Sequence, residues 1–164
     1  MNKKLLAATA LVLVIGTSSL FAFGIGIQGG FSVSQDGVGS GSGAVTFKLD
    51  SMPWVFAADA TFADRTSVGV TADNWIANRP LAGLLNYFYG WGIAGSASVG
   101  EAVQYGFIGA RVLGGLNVFL LDKHLEFYTQ IAWQPGFSIV LSGNSSIDTV
   151  LRSFPGAFGF RFWF

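Results

Sequence analysis

The sequence predicts an all-β fold, a transmembrane eight-stranded antiparallel up-and-down β-barrel, on three observations. First, 51% of the 164 residues are hydrophobic and only 11% are charged, against roughly 25% charged in an ordinary soluble domain. Much of this apolar surface must therefore face something other than water. Second, apolar residues alternate with small or polar ones in eight segments, which is the period of a strand. Third, the last segment, 156–164, has an aromatic residue at every second position.

The first 22 residues predict a secretory signal peptide. A basic start with Lys3 and Lys4 precedes an apolar run and a few small residues. We expect cleavage after Ala22, with Ser19 as the alternative, and we assign the barrel to 23–164. Without the leader the chain has seven basic and nine acidic residues, a net charge of −2. The sequence contains no basic patch that would indicate a nucleic-acid partner.

The two most apolar stretches after the leader contain residues that disfavour a transmembrane helix. Residues 81–100 contain Asn86 and several glycines, and residues 103–121 carry Arg111 near the middle. A central arginine costs about 2.5–3.5 kcal/mol on the insertion scale. The other structure that satisfies every backbone group in lipid is a closed barrel, whose signature is the observed alternation.

The C-terminal segment gives the clearest strand signal. Its four alternate phenylalanines share one face of a strand, whereas Arg161 lies on the other. Lipid outside and a polar lumen inside explain both faces. The segment resembles the C-terminal strand of bacterial outer-membrane barrels, which ends in Phe and is read by the barrel-assembly machinery. The resemblance implies that this signal consists of Phe158, Phe160, Phe162 and Phe164.

The other predicted strands follow the same alternation in chain order: 23–33, 44–50, 54–62, 67–73, 84–93, 105–112 and 125–133. Phe88 is a misfit, because it falls on the inner face of the fifth strand. The apolar character of the sixth strand continues past Gly114 and Gly115, and we interpret this glycine pair as a bulge. With the C-terminal segment there are eight strands, an even number as expected for single-chain bacterial barrels.

The connectors predict which end of the barrel faces the periplasm. With the N-terminus there, the periplasmic turns are 51–53, the segment around 78–80, and 121–123. Pro53 and Pro80 favour turns, because proline is excluded from central strands. The outward connectors are predicted at 35–43, 64–65, 95–101 and a long loop at about 134–154.

Charged side chains on the inner faces are the candidate site. An eight-stranded barrel has an interior just wide enough to be filled by side chains, and buried charges must be paired. A ladder of ion pairs is therefore expected, with a narrow gated pore as the alternative. We expect Arg111 to pair with Glu126, because their strands are adjacent, and Arg161 to face Glu126 or the first strand. The predicted lumen charges are Lys48, Asp50, Asp59, Asp73, Arg111, Glu126 and Arg161.

Other motifs give no catalytic or cofactor site. Residues 24–29, GIGIQG, match G-x-G-x-x-G, and Asp50 follows at a suitable distance, but a signal peptide precedes the motif and no helix follows it. We interpret Gly24 and Gly26, together with Gly30, as lumen residues that leave room for Arg161, whereas Gly29 interrupts the lipid face. His124 is the only histidine and there is no cysteine, so no metal or other cofactor is predicted. No serine lies in G-x-S-x-G, and we expect no enzymatic activity.

Taken as a whole, residues 23–164 resemble the small eight-stranded outer-membrane barrels of the OmpA/OmpX type. The stretch 109–133, GARVLGGLNVFLLDKHLEFYTQIAW, further resembles uncharacterised spirochaete-type barrel proteins. The resemblance implies a monomer in outer-membrane lipid, with a structural role at the surface and outer loops that meet host or surface ligands. One alternative is a narrow OmpW-like channel for small hydrophobic solutes, supported by the apolar segment 137–141. A lipid-modifying enzyme is the other alternative, and a disfavoured one.

Overall fold

A computed structural model describes residues 22–34, 37–38, 41–61, 66–99, 105–140 and 146–164. Among these residues no helix is long and apolar enough to cross a membrane. The strands are β1 (Phe23–Ser34), β2 (Gly37–Val38), β3 (Ser42–Leu49), β4 (Trp54–Thr61), β5 (Thr66–Ala82), β6 (Leu85–Val99), β7 (Tyr105–Leu120), β8 (Leu125–Trp133), β9 (Gly136–Val140), β10 (Ser146–Val150) and β11 (Ser153–Trp163).

These strands form one closed antiparallel barrel. β1 pairs with β11 from Gly24↔Trp163 to Ser34↔Ser153, so the first and last strands meet. β8 and β9 both pair with β7 and are successive parts of one wall strand. β10 and β11 form the next wall strand, because β10 pairs with β9 and β11 pairs with β8. The result is an eight-stranded antiparallel barrel, which confirms the predicted fold class.

The two-residue alternation decides which side chains enter the lumen. On β4, Val55 and Ala57 are buried, whereas Phe56 and Ala58 are exposed on the outside. On β11 the Arg161 side chain is fully buried, although Phe162 beside it is 47% exposed. The interior therefore holds polar as well as apolar groups, and large apolar side chains cover the outer surface.

The turn predicted around 78–80 is wrong. β5 continues through this segment to Ala82, and the turn consists of Gly83 and Leu84, with Gly83 at φ +56°. Pro80 is tolerated in the strand because the pairing of β5 with β6 is interrupted between Pro80 and Ala82. Proline occurs within sheets at such irregularities, where its missing N–H removes no regular hydrogen bond.

The bulge predicted at Gly114 and Gly115 is also wrong. β6 and β7 pair without interruption from Leu85↔Val118 to Ala97↔Gly106. Gly115 instead makes room for the Phe88 ring, because a Cβ there would collide with that ring. An irregularity in strand pairing does occur, but on β5, where the pairing with β6 shifts register between Trp75 and Ala77. The Phe88 misfit and the glycine pair therefore have one explanation, since the ring packs inward over Gly115.

Most of the predicted loop 134–154 is an extension of the barrel wall. β9 and β10 pair from Ser146↔Val140 to Val150↔Gly136. The described part of the apolar segment 137–141 lies in β9. The turn at 64–65, parts of the connectors 35–43 and 95–101, and the predicted signal peptide apart from Ala22 lie outside the described residues.

Large lumen side chains repeatedly lie directly opposite a glycine of the neighbouring strand. Cross-strand neighbours bring their Cβ atoms within about 4.5–5.5 Å, so a large side chain can lean across the next strand only where little stands in its way. The pairs are Trp163↔Gly24, Arg161↔Gly26, Asp59↔Gly69, Trp75↔Gly90, Asp73↔Gly92, Arg111↔Gly92, Phe88↔Gly115 and Tyr128↔Gly159.

Gly26→Ala should destabilise the barrel, whereas Gly29→Ala on the same strand should not. A Cβ at Gly26 would collide with the Phe160 carbonyl oxygen and lie 2.7 Å from the Arg161 Cα, but a Cβ at Gly29 meets nothing within 4 Å. We expect a loss of about 1–3 kcal/mol for Gly26→Ala, as for overpacking, and a change within about 0.5 kcal/mol for Gly29→Ala. Urea unfolding of the refolded protein measures both. Equal losses would contradict the close approach of β1 to β11.

Candidate functional site

A fully buried ion pair joins the last two wall strands, next to the seam between β1 and β11 where the barrel closes. Glu126 on β8 and Arg161 on β11 are directly opposite each other. Arg161 Nη1 lies 3.0 Å from Glu126 Oε2, and both side chains are 0% exposed. Trp163 Nε1 donates to the same oxygen at 3.1 Å, and Asn117 Nδ2 donates to Oε1 at 2.7 Å. Three donors therefore satisfy the carboxylate, which makes its burial tolerable.

The Arg161 guanidinium also binds two further strands. Its Nε donates to Thr46 Oγ1 on β3 at 3.2 Å. Its Cζ lies 3.9 Å from the centre of the Tyr128 ring and 5.2 Å from that of Trp75, within cation–π range. The Tyr128 hydroxyl donates to Gln28 Oε1 on β1 at 2.7 Å. Together with Asn117 on β7, these hydrogen bonds connect the first, second, sixth, seventh and eighth wall strands.

An aromatic layer fills the lumen beside this network. The rings of Trp75 and Phe88 stack at 3.7 Å with an interplanar angle of 10°, and Tyr128 meets Trp75 edge-on at 6.4 Å. Three smaller side chains complete this buried layer: Val55, Leu113 and Ala132.

A cavity lies in each half of the barrel, and the two share no lining residue. The outer vestibule has a volume of about 240 Å³ and is lined in part by Ser32, Asp59 and Arg111. The inner mouth, at the end that carries both Phe23 and Phe164, has a volume of about 1020 Å³. The side chains of the ion pair and the aromatic layer separate the two cavities.

A second ion pair forms the floor of the outer vestibule. Arg111 Nε lies 2.9 Å from Asp73 Oδ1, with 7% and 3% of the side chains exposed, and Arg111 Nη1 donates to Gln134 Oε1 at 2.7 Å. Arg111 reaches Asp73 across Gly92, which pairs with both residues. The predicted pair of Arg111 with Glu126 is wrong, because Glu126 pairs with Phe119, far below Arg111 on β7.

The other predicted lumen charges lie apart from these two pairs. The Lys48 ammonium is 5.2 Å from the centre of the Trp163 ring and 5.7 Å from that of Trp75, on the inner side of the aromatic layer. Asp59 is half-buried on the wall of the outer vestibule. Asp50 does not enter the lumen as predicted: β3 ends at Leu49, so Asp50 lies exposed in the following turn at the inner mouth.

Several residues of the network were not predicted from the sequence. Trp75 and Asn117 lie beyond the predicted ends of their strands at 73 and 112, so their faces were never assigned. The strand alternation predicted that Thr46 and Tyr128 face inward. Because neither residue carries a charge, neither was predicted to belong to the site. One signal in the sequence could have found them: a large inward-facing residue on one strand with a glycine at an inward-facing position of the neighbouring strand.

The remaining sequence candidates have structural explanations. Gly24 and Gly26 face the lumen opposite Trp163 and Arg161, as the interpretation of the glycine motif requires. His124 lies exposed in the turn after β7, where its Nδ1 is 2.8 Å from the Leu121 carbonyl oxygen. No group of three His, Cys, Asp or Glu side chains that could hold a metal occurs within the described residues.

The four predicted signal phenylalanines lie on the outside of β11 and at its end. Phe158 and Phe164 are more than 60% exposed, and Phe160 is half-buried among neighbouring rings. Backbone hydrogen bonds join Phe164 to Phe23 in both directions, at 3.3 and 3.0 Å. The last residue therefore completes the seam with the first strand.

Comparison with solved structures places this architecture among known barrels. The crystal structure of Neisserial surface protein A (NspA) matches with a TM-score of 0.50 and 16% sequence identity, over 88% of this chain and 97% of that one. The fold is that of a small eight-stranded outer-membrane barrel. At this identity the likeness extends to the fold alone. No protein-family model matches the sequence, and no curated protein matches it either.

Glu126→Gln should destabilise the barrel by about 3–5 kcal/mol, because it leaves the Arg161 charge buried without its partner. Asp122→Asn, in an exposed turn, is the control and should change the stability by less than about 0.5 kcal/mol. Urea unfolding in lipid vesicles measures both changes.

Double-mutant cycles should show that Arg111 is coupled to Asp73 and not to Glu126. Residues in one ion pair show interaction energies of about 0.5–3 kcal/mol, whereas separated residues add within about 0.5 kcal/mol. Coupling of Arg111 to Glu126 without coupling to Asp73 would contradict the described pairing.

Proposed function

We propose that the protein is an integral outer-membrane β-barrel with a side-chain-filled lumen and a structural, surface-exposed role. The observation that carries this proposal is the distribution of polarity. The Glu126–Arg161 pair is fully buried, whereas Val70 and Phe158 are about 60% exposed on the outside. Exposed apolar surface of this extent marks a membrane or interaction surface, and a closed barrel leaves no sheet edge unpaired in lipid.

The two ends of the barrel support one orientation. Both chain termini of the barrel lie at one end, with the short turns at Gly83–Leu84 and Leu121–His124. The extension formed by β9 and β10 lies at the other end. Outer-membrane barrels have short periplasmic turns and longer extracellular connections. In this proposal the inner mouth therefore faces the periplasm and the outer vestibule faces the cell exterior.

Three kinds of partner follow from this placement. Lipid covers the apolar outer surface, and the barrel-assembly machinery recognises the exposed phenylalanines of the last strand. In this proposal the protein is a monomer, because β1 pairs with β11 and the membrane-spanning part of the wall has no open edge to pair with a second copy. A host or surface ligand would meet the outer end, where Phe137 and Ile147 of the extension are 53% and 71% exposed.

The aromatic layer favours a filled lumen over a channel. The apolar segment that supported a channel for hydrophobic solutes lies, as far as it is described, in β9, paired with β7 and β10. It forms wall and does not line a path through the lumen. For a lipid-modifying enzyme the described residues offer no support, since His124 lies at the end opposite the vestibule.

Ile93→Lys should separate a lipid-facing from a water-facing surface. Ile93 lies at the middle of β6 and is 57% exposed. In a bilayer the substitution should cost about 2–4 kcal/mol, whereas on a water-exposed surface it should be nearly neutral. Leu121→Lys in the exposed turn is the control and should be neutral in either case. Reversible unfolding in vesicles gives the values, and a neutral Ile93→Lys would contradict the membrane location.

Trp75→Ala combined with Phe88→Ala should open the lumen. The wild type should give no discrete single-channel conductance in a planar bilayer, because the stacked rings close the path between the two cavities. Trp91→Ala is the matched control, since Trp91 lies on the outside of β6. We expect conductance steps only for the lumen variant. Steps in the wild type would overturn the filled-lumen proposal, and gel migration of unboiled samples verifies that each variant is folded.

A further inference from the structure

The charges inside the described barrel leave one carboxylate without an ion pair. Three cationic and three anionic side chains face the lumen, and four of these six form the two ion pairs. Lys48 remains on the inner side of the aromatic layer, where it lies over two tryptophan rings. Asp59 remains on the outer side. Each half of the lumen thus has one charge in excess, and the excess in the outer vestibule is negative.

The strand register shows that the neighbours of Asp59 are small or carry hydroxyl groups. Ala44 on β3 and Gly69 on β5 lie directly beside it. The carboxylate leans over Gly69, with Oδ2 2.6 Å from the position a Cβ would take there. Five of the inward residues diagonal to Asp59 or next to it on its own strand have hydroxyl groups, namely Ser42, Thr46, Thr61, Ser67 and Thr71. The Thr46 hydroxyl already accepts a hydrogen bond from Arg161, which leaves the other four.

Arg111 does not supply the missing partner. Arg111 lines the same vestibule as Asp59, but its guanidinium is held by Asp73 and Gln134 at 2.9 and 2.7 Å. Within the described part of the chain, no side chain donates a hydrogen bond to the Asp59 carboxylate. A half-buried carboxylate in such a position favours a cation from outside the chain.

We propose that the outer vestibule binds a primary alkylammonium group, with Asp59 as its counter-ion and neighbouring hydroxyl oxygens as further acceptors. An ammonium has three N–H donors and no acceptor, so a site that binds it should offer three acceptors. Here one carboxylate and two neutral hydroxyl oxygens would supply them. The volume of about 240 Å³ admits a small amine or the end of a lysine side chain. Ca²⁺ takes six to eight oxygen ligands, commonly with several carboxylates, but one carboxylate alone faces this part of the vestibule.

This site goes beyond the proposed surface role, which requires no ligand in the lumen. The ammonium group could come from a free small amine or from a lysine on a surface protein. Both present the same ammonium group to Asp59. They differ because a lysine is attached to a protein backbone, which must remain outside the vestibule, whereas a free amine is not. The two sources can therefore be separated with probes that share an alkylammonium head.

The test is a titration of the refolded, ¹⁵N-labelled barrel with n-butylammonium chloride at constant ionic strength. We expect saturable shifts of the Gly69 and Thr61 amide resonances. Asp59→Asn should weaken binding at least about tenfold, as for the loss of a charge-assisted hydrogen bond. Asp50→Asn removes the same charge from the exposed turn at the opposite end and should leave binding unchanged. Thr61→Val with Ser67→Ala keeps the carboxylate and should weaken binding severalfold.

The outcomes separate the alternatives. Equal affinities of Nα-acetyl-lysine methylamide and n-butylammonium support a lysine side chain as the ligand, and binding of n-butylammonium alone supports a free amine. The proposal is overturned if the folded wild type shows no saturable shift, if Asp59→Asn binds equally well, or if CaCl₂ saturates the same resonances at a tenfold lower concentration. Gel migration of unboiled samples and the Ile93→Lys measurement report on the membrane barrel independently of all these results.

Discussion

The close contact between large lumen side chains and the glycines opposite them is the constraint on which the rest of the structure depends. An eight-stranded barrel has little interior space, and the described lumen contains Trp75, Trp163, Tyr128, Phe88 and two arginines among its large side chains. Gly26 lets β1 approach the Arg161 backbone, and Gly92 lets Arg111 cross to Asp73. Without these small positions the ion pairs and the aromatic layer could not occupy the same barrel.

The division of the lumen follows from this packing. The aromatic layer excludes water beside the Glu126–Arg161 pair, which strengthens the attraction between the two charges but also makes complete hydrogen bonding necessary. Asn117 and Trp163 supply the bonds that the carboxylate would otherwise lose. In the outer half, the Arg111–Asp73 pair borders a cavity and leaves room around Asp59. The same barrel therefore combines a packed layer that closes the middle of the lumen with an outer vestibule that has space for a ligand.

The sequence predicted the faces of the strands well because the two-residue period needs no knowledge of which strands pair. For that reason the alternation assigned Thr46, Glu126 and Arg161 to inner faces, and all three side chains are buried. It could not predict which charges meet, since this depends on the register between strands. Arg111 and Glu126 lie on neighbouring strands but at different heights.

Strand ends were the other weakness of prediction from the sequence. Pro80 suggested a turn, although the strand continues past it beside an irregularity in the pairing. The glycine pair after Leu113 suggested a bulge, because the space it leaves for Phe88 is visible only when β6 is placed beside β7. Trp75 and Asn117 were missed because both lie in the parts of strands that these errors removed.

The buried ion pair has a consequence for the order of assembly. Glu126 and Arg161 belong to wall strands that are consecutive in the chain, separated by 35 residues, whereas Arg161 and Thr46 are separated by 115. The C-terminal hairpin can therefore neutralise its own charges before the barrel closes. The hydrogen bond from Arg161 to Thr46 and the packing of Arg161 beside Gly26 form only after β1 has paired with β11. These two contacts therefore distinguish a closed barrel from an open sheet. A chain that enters the membrane with its C-terminal hairpin first would carry a neutral pair into lipid, and closure would then add the remaining contacts.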